Sequence, residues 1–190
     1  MLSFLASSLG PCSPQARLLA LQCALRSTPH GQVRIPAGLI RAMALPQAAA
    51  AWRELEELHW LRQSVRNSPI VSAQLTDPLI GALGRKTRAR AADWALRTHH
   101  SRPVRAGAPA VRLVTLALAA YGAPDRTDGI AEIDQLARAS GLSKPGLLSI
   151  VRLLSATGGI GCWSLDHATD DLTWTLSPHV PAAPSNDQGC

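Results

Sequence analysis

The sequence predicts a mainly α protein with small β-hairpins, and three observations lead to this expectation. The first is a pair of short amphipathic helices around a tight turn, within residues 131–160. The second is that two β-prone runs follow this pair directly. The third is that a similar order of helices and β-prone runs occurs in the first 76 residues. At 190 residues, of which 46% are hydrophobic, the chain has room for two small globular domains.

The helix pair has a buried side and an outward side that can be read from residue spacing. Residues 133–139 predict the first helix, and residues 140–142 predict a turn. Ser143 can cap the second helix, and Pro145 stands in its first turn, where a missing N–H is harmless. Four apolar residues at helical spacing predict the buried stripe of the second helix: Leu147, Ile150, Val151 and Leu154. The residues left on the outward side include Lys144, Ser149 and Arg152.

A hairpin is expected directly after the second helix. Gly158 and Gly159 end that helix, and residues 160–165 and 171–176 are β-prone runs with alternating apolar side chains. Helix, turn, helix and hairpin is the order of a winged helix-turn-helix unit. The run LARASGLSKPGLLSIVRLL resembles the core of bacterial winged-helix regulators, and the resemblance covers residues 108–178.

This resemblance implies sequence-specific binding to double-stranded DNA and a role in transcription regulation. In such units the second helix enters the major groove, where small, polar and basic side chains contact base edges and phosphates. The residues that would make these contacts are Ser143, Lys144, Ser149 and Arg152.

The first third of the chain predicts a second unit on the same plan. Helices are expected at residues 14–26, from Pro36 onward and at 47–58, with strands at 32–35, 60–65 and 70–75. The expected DNA contacts here are Gln47 and Arg53 on the third helix, and Arg62 and Arg66 on the hairpin. The third helix also carries Glu54, Glu56 and Glu57, so only its N-terminal half would tolerate phosphates.

The full expectation is therefore two winged helix-turn-helix units joined by a basic helix. The domain boundaries are 1–76 for the first unit, 77–107 for the basic connecting helix and loop, 108–178 for the second unit and 179–190 for a mobile tail. The chain carries a net charge of +6, and residues 85–112 alone hold eight Lys and Arg against one acid. Arg85, Lys86 and Arg88 would lie along phosphates, although the same segment could be a solvated linker helix.

The composition of the second hairpin does not favour contact with the DNA backbone. Residues 166–171 hold three Asp and no Lys or Arg, and their carboxylates would face phosphates. Either this hairpin is held away from DNA, or it meets a basic surface such as the middle helix or a partner's copy of that helix. Two alternative functions stay open: a plasmid-type replication initiator and a winged-helix adaptor that binds protein. The basic middle segment opposes the adaptor, and the acidic hairpin favours it.

No enzyme, cofactor or metal site is expected. The sequence holds none of the common phosphate-loop, dinucleotide-binding or nucleophile-elbow motifs. The neighbours His99 and His100 would point about 100° apart on a helix, which disfavours a shared metal. Four separated cysteines lack zinc spacing, and Cys23 and Cys162 are expected to be small core residues. No apolar run approaches a membrane span, so we expect a cytoplasmic, nucleoid-associated protein with DNA as partner, with a homodimer left open.

Overall fold

The computed structural model describes residues 2–65, 69–77, 84–101, 104, 107–122 and 127–183. The chain forms two compact units, and the boundary between them lies between Ala92 and Asp93. Unit 1 is the part before this boundary, and unit 2 is the part after it. The boundary falls inside the segment that the sequence predicted as a connector.

Unit 1 consists of helices with one small antiparallel sheet. Its elements are α1 (Leu2–Ser8), α2 (Pro14–Arg26), β1 (Gln32–Pro36), α3 (Ala37–Ala42), α4 (Ala48–Glu57), β2 (Leu61–Val65) and β3 (Ile70–Leu75). Helix α5 (Arg85–His100) begins in unit 1 and ends in unit 2. The strands pair antiparallel in the order β1-β3-β2.

Unit 2 repeats this order of elements. They are α6 (Pro109–Tyr121), β4 (Asp128–Glu132), α7 (Ile133–Ser140), α8 (Lys144–Ala156), β5 (Ile160–Asp166) and β6 (Asp171–Leu176). Its strands pair antiparallel in the order β4-β6-β5. Apart from α1 and α5, the described elements of each unit therefore run helix, strand, helix, helix, strand, strand, and in each sheet the last strand lies in the centre.

The helices and hairpins predicted within the described residues are present, with three differences. Each hairpin belongs to a three-stranded sheet, because β1 pairs with β3 in unit 1 and β4 pairs with β6 in unit 2. Strand β4 was not predicted, because a run with Ile130 as its one large apolar residue gives no alternating pattern in the sequence. In the structure Ile130 is 61% exposed. Helix α1 was also not predicted. The mainly α class with small β-hairpins thus becomes helices with two small antiparallel sheets.

Each unit is built around one helix whose middle is buried on every side. All residues from Ala16 to Leu25 in α2 are buried, and so are all residues from Val111 to Ala119 in α6. A helix that is buried around its whole circumference must be covered on all faces by the rest of its unit. In unit 2, α7, α8, β4 and β6 all contact α6.

The predicted mobile tail is not free at its beginning. Val180 is 2% exposed, and the indole Nε1 of Trp94 donates a 3.1 Å hydrogen bond to the carbonyl of Pro181. A buried indole N–H needs an acceptor, and here the tail supplies it within unit 2. The remainder of the predicted tail, from residue 184, lies outside the described part.

We expect Gly129→Ala to destabilise the protein, because no Cβ fits at this position. Gly129 pairs with Trp174 across the sheet, and an added Cβ would clash with Cζ2 of that ring. Trp174 is 2% exposed and has little room to move, so overpacking should lower the free energy of unfolding by about 1–3 kcal/mol. Urea unfolding followed by circular dichroism measures the change.

Gly161→Ala is the matched control for this substitution. Gly161 lies on β5 of the same sheet, where an added Cβ would meet its nearest neighbour, the Thr175 carbonyl, at 3.7 Å. It should unfold at the same urea concentration as the original chain or a slightly higher one, since alanine reduces the entropy of the unfolded chain. Equal loss in both variants would show that the Trp174 contact does not limit this position.

Candidate nucleic-acid interface

Helix α8 presents one buried stripe and one exposed face. Leu147, Val151 and Leu154 are buried, whereas Ile150 is only half-buried, so the stripe is narrower than predicted. Ser149 and Arg152 are exposed on the other side, as predicted for outward residues. The exposed face also includes Leu153, at 48% exposure, which adds an apolar patch beside the polar residues.

Ser143 begins α8 by capping it. Its side chain is exposed, but its Oγ accepts a 3.3 Å hydrogen bond from the N–H of Gly146. One of the first unpaired N–H groups of the helix is satisfied in this way. The oxygen predicted for DNA contact therefore already has a structural role.

Lys144 lies between two carboxylates. Its Nζ is 2.9 Å from Oδ2 of Asp170 and 3.1 Å from Oδ2 of Asp134. The hydrogen bonds that its ammonium group donates to Asp170 and Asp134 raise the pKa of Lys144 above its ordinary value. The three side chains are 40–52% exposed, so this cluster orients the segments more than it stabilises them. We call these three residues the Lys144 cluster.

The Lys144 cluster holds the hairpin tip against the helix pair. Asp170 stands at the tip with a φ of 58°, a left-handed conformation that Asp tolerates. Its carbonyl accepts a 2.9 Å hydrogen bond from the N–H of Ile133 at the start of α7. The acidic hairpin was expected either to be held away from DNA or to meet a basic surface such as the middle helix or a partner's copy of it. Asp170 instead pairs with Lys144 of its own unit, because the turn geometry directs its carboxylate there.

In unit 1, α4 occupies the position that α8 has in unit 2. Its buried side consists of Ala51, Trp52 and Leu55, while the predicted contacts Gln47 and Arg53 are exposed. Arg62 on β2 is also exposed. Arg66, the remaining predicted contact of this hairpin, lies outside the described residues.

Glu54 is a correction to the expected acidic surface of α4. The sequence predicted it only as one of three acids that would repel phosphate, but its carboxylate is part-buried and accepts hydrogen bonds from the N–H and the hydroxyl of Ser13. Ser13 in turn caps α2 by accepting from the N–H of Ala16. Glu54 thus joins α4 to the start of α2, and its charge is stabilised by these two donors.

Arg88 is a second correction. It was predicted to contact phosphate together with Arg85 and Lys86, which are indeed exposed. Arg88 itself is only 4% exposed, and its Nη1 donates a 2.7 Å hydrogen bond to the Ser27 carbonyl. It lies on the same face of α5 as the buried residues Ala92 and Ala95, at helical spacing. A duplex approaching the exposed face of α5 would not reach it.

Positive charge is distributed unevenly between the two units. Residues 1–92 carry eleven Lys and Arg against four Asp and Glu, a net of +7. Residues 93–190 carry eight against nine, a net of −1. The attraction for a polyanion is therefore concentrated in unit 1.

Other classes of site have little support in the described residues. No group of three or more His, Cys, Asp and Glu side chains there could hold a metal ion, and no helix there is long and apolar enough to cross a membrane. The side chains of His99 and His100 lie outside the described part.

Cys23 is buried, as predicted, whereas Cys162 is exposed and its Sγ donates to Oγ1 of Thr175. The prediction for Cys162 was wrong, because its side chain lies on the outer face of the sheet.

The comparisons with known proteins do not identify a relative. No protein-family model, no curated protein and no solved structure matches the chain. The winged-helix interpretation therefore depends on the order of elements, the exposed helix faces and the charge.

Loss of both acids should lower the pKa of Lys144. We expect Asp134→Asn with Asp170→Asn to return this pKa toward that of an ordinary lysine, because the two charged acceptors are removed. The raised pKa means that the cluster contributes stability at lower pH. This contribution is lost as pH rises from the ordinary lysine value of about 10.4 through the raised one.

Carbon NMR of the lysine Cε atoms measures this titration directly. The chain has two lysines, so a Lys86→Gln variant assigns the Lys144 signal. Asp166→Asn is the control, since Asp166 is on the same hairpin and its Oδ1 accepts from the N–H of Ala168 instead. A titration of Lys144 that is identical in all variants would contradict the cluster.

Arg88→Gln should lower the melting temperature, whereas Arg85→Gln with Lys86→Gln should not. Removal of the Arg88 guanidinium leaves the buried Ser27 carbonyl without its side-chain donor, which costs about 1–3 kcal/mol. Arg85 and Lys86 are exposed, and substitutions at such positions have small effects. Thermal unfolding followed by circular dichroism makes the comparison, and equal melting temperatures would contradict the structural role of Arg88.

Proposed function

We propose that this protein binds double-stranded DNA in a sequence-specific manner and acts as a transcriptional regulator. The observation that carries the proposal is the arrangement of each unit. A helix with an exposed face stands directly before a hairpin, in the order typical of winged helix-turn-helix units. In such units this helix enters the major groove and the hairpin contacts the backbone.

In unit 2 the proposed base contacts are Ser149 and Arg152. Both are exposed on the face of α8 opposite its buried stripe. Arg152 can donate two hydrogen bonds to the edge of a guanine, and Ser149 can bond to any base or to phosphate. Their position in the middle of α8 leaves them clear of the capping residue Ser143.

Lys144 has a different role in this proposal. Its ammonium group is shared between Asp134 and Asp170, so it positions the hairpin beside α8 before any DNA arrives. The carboxylate of Asp170, which would otherwise face phosphate, is neutralised by the same contact. Lys144 would reach DNA only by exchanging a carboxylate partner for a phosphate.

Unit 1 supplies most of the electrostatic attraction. Its net charge is +7, and several of its cations are exposed: Arg53, Arg62, Arg85 and Lys86. Each phosphate neutralised by such a side chain releases counterions, which favours binding without regard to sequence. Unit 1 would therefore set the affinity and α8 would set the specificity.

A protein-binding adaptor is the second candidate, and unit 2 favours it. This unit has a net charge of −1, and two of its large apolar residues, Ile130 and Leu153, are 61% and 48% exposed. Exposed apolar side chains next to an acidic hairpin suit a protein surface better than a phosphate backbone. The salt dependence of duplex binding separates the two functions. Binding to DNA should weaken with a slope of about −0.9 per neutralised phosphate, and an adaptor would not bind the duplex.

Selection of bound sequences from a random pool of duplexes tests the proposal. We expect a preferred sequence, and we expect Ser149→Ala with Arg152→Ala to reduce affinity for it by about 1–3 kcal/mol per lost base contact. Affinity for a scrambled duplex should change much less, because the lost contacts read bases. Fluorescence anisotropy with labelled duplexes gives both affinities.

Arg97→Ala is the matched control for Arg152→Ala. Arg97 is an exposed arginine of unit 2 on α5, so the change in charge is the same but the residue is not on α8. It should leave the ratio of the two affinities unchanged. Failure to select any sequence, or an unchanged ratio in the α8 variant, would contradict recognition by α8.

A further inference from the structure

Unit 1 contains a cavity of about 710 Å³ lined by four arginines. It lies among the end of α2, the loop that follows, strand β1 and the first turn of α5. The lining arginines are Arg26, Arg34, Arg85 and Arg88, and the hydroxyl residues Ser27 and Thr28 stand beside them. None of the described residues that line it is acidic. Its volume lies in the range of small-molecule sites, about 300–1,000 Å³.

Arg88 distinguishes this cavity from an ordinary basic surface. Its side chain is only 4% exposed, and its Nη1 bonds to the Ser27 carbonyl and, at 3.4 Å, to the Ser27 hydroxyl. Its Nε is buried and has no hydrogen-bond partner in the described structure. No carboxylate of the described residues forms an ion pair with it. A buried cation without a counter-charge is unfavourable, and an anion in the cavity would offset this cost.

The beginning of α5 adds a second source of positive potential. Gly84 and Arg85 line the cavity at the N-terminus of this 16-residue helix. The first N–H groups of a helix lack intrahelical partners, and the helix dipole places partial positive charge there. Among the described residues, a Cβ added at Gly84 would meet nothing closer than Thr87 Oγ1 at 4.0 Å. Helix N-termini of this kind bind phosphate groups.

We infer that this cavity binds the phosphate group of a small phosphorylated molecule. Arg88 is the buried anchor, and Arg34 and Arg85, which are exposed, approach the phosphate from the solvent side. Several arginines suit a phosphate dianion better than a single carboxylate, because planar guanidinium groups bond pairwise to its oxygens.

A free phosphate fits the burial of Arg88 better than a phosphate of duplex DNA does. Phosphates of a duplex are fixed on a wide, stiff rod and contact side chains that project from the surface. A small molecule can enter the cavity and reach a guanidinium that is 4% exposed. The inference does not depend on the proposed DNA binding, since it rests on the burial of Arg88 and on its unpaired Nε, which a duplex on the exposed face of α5 would not reach.

Nitrogen NMR of the arginine Nε–Hε groups tests the site in the full chain. The probes are inorganic phosphate and adenosine 5′-monophosphate, with adenosine as the uncharged comparison and sodium chloride to hold ionic strength constant. We expect the Arg88 Nε–Hε signal to shift in a saturable manner with both phosphates and not with adenosine. Arg88→Lys removes this signal and assigns it. If that variant does not fold, the titrations of the next paragraph decide the question.

Arg34→Gln with Arg85→Gln should weaken the binding of both phosphates at least about tenfold, because two charged donors are lost. The matched control is Arg41→Gln with Arg53→Gln, two exposed arginines of unit 1 that do not line the cavity. It makes the same change in charge and should leave the affinity within about twofold. Equal loss in both pairs, or no saturable shift, would overturn the inference. A shift produced by a 20-base-pair duplex but by neither small phosphate would also overturn it, and would assign the cavity to DNA.

Discussion

The burial of α2 and α6 is the constraint on which each unit depends. Ten consecutive residues of α2 and nine of α6 are removed from solvent, so the other elements of each unit must cover them on every face. Two polar side chains inside this zone bond within their own unit, since the Gln22 amide donates to the Ala92 carbonyl at 3.2 Å and the Thr115 hydroxyl donates to the Val111 carbonyl at 2.9 Å. Arg17 is less well satisfied, because its Nε and Nη1 are buried without a hydrogen-bond partner in the described structure. Because α4 and α8 each use one face for this packing, their opposite faces stay in solvent. The proposed DNA surface therefore follows from the way the core is closed.

Burial and pairing, more than residue type, decide what each cation of this chain can do. Lys144, Arg88 and Arg152 are all basic residues on helices that the sequence predicts as DNA contacts. Of these three, only Arg152 is exposed and has no hydrogen bond or ion pair among the described residues, since Lys144 is shared by two carboxylates and Arg88 bonds to Ser27 inside unit 1. A count of basic residues along the sequence overstates the cations that face solvent. Such a count also does not reveal which cations are buried. A buried cation without a carboxylate partner is a stronger indication of an anionic ligand than an exposed cation is.

Most helix and hairpin positions could be predicted from the sequence because they depend on local patterns. Ser13 and Pro14, like Ser143 and Pro145, are capping signals that act within one turn, and both pairs do begin helices. Strand β4 could not be predicted, because it exists through its pairing with β6, from Asp128 opposite Thr175 to Glu132 opposite Asp171. The Lys144 cluster joins residues 26 and 10 positions apart in sequence, and only the folded hairpin brings them together. One signal was present but overlooked: Arg88 continues the spacing of the small residues Ala92 and Ala95, which predicts a buried face.

The Lys144 cluster has a consequence for the thermodynamics of a DNA complex. A free lysine that meets a phosphate releases a counterion from the DNA, and affinity then falls steeply with added salt. Lys144 already has two carboxylate neighbours, so a phosphate that takes it must leave Asp134 or Asp170 uncompensated, and that carboxylate recruits a cation from solution. This uptake of a cation by the protein cancels part of the release of counterions from the DNA. Salt also weakens the ion pairs of the Lys144 cluster in the free protein. At the ionic strengths that screen the lysine–phosphate contact, the ammonium group of Lys144 is therefore easier for a phosphate to bind. Unit 2 would therefore respond to salt less steeply than its number of cations indicates.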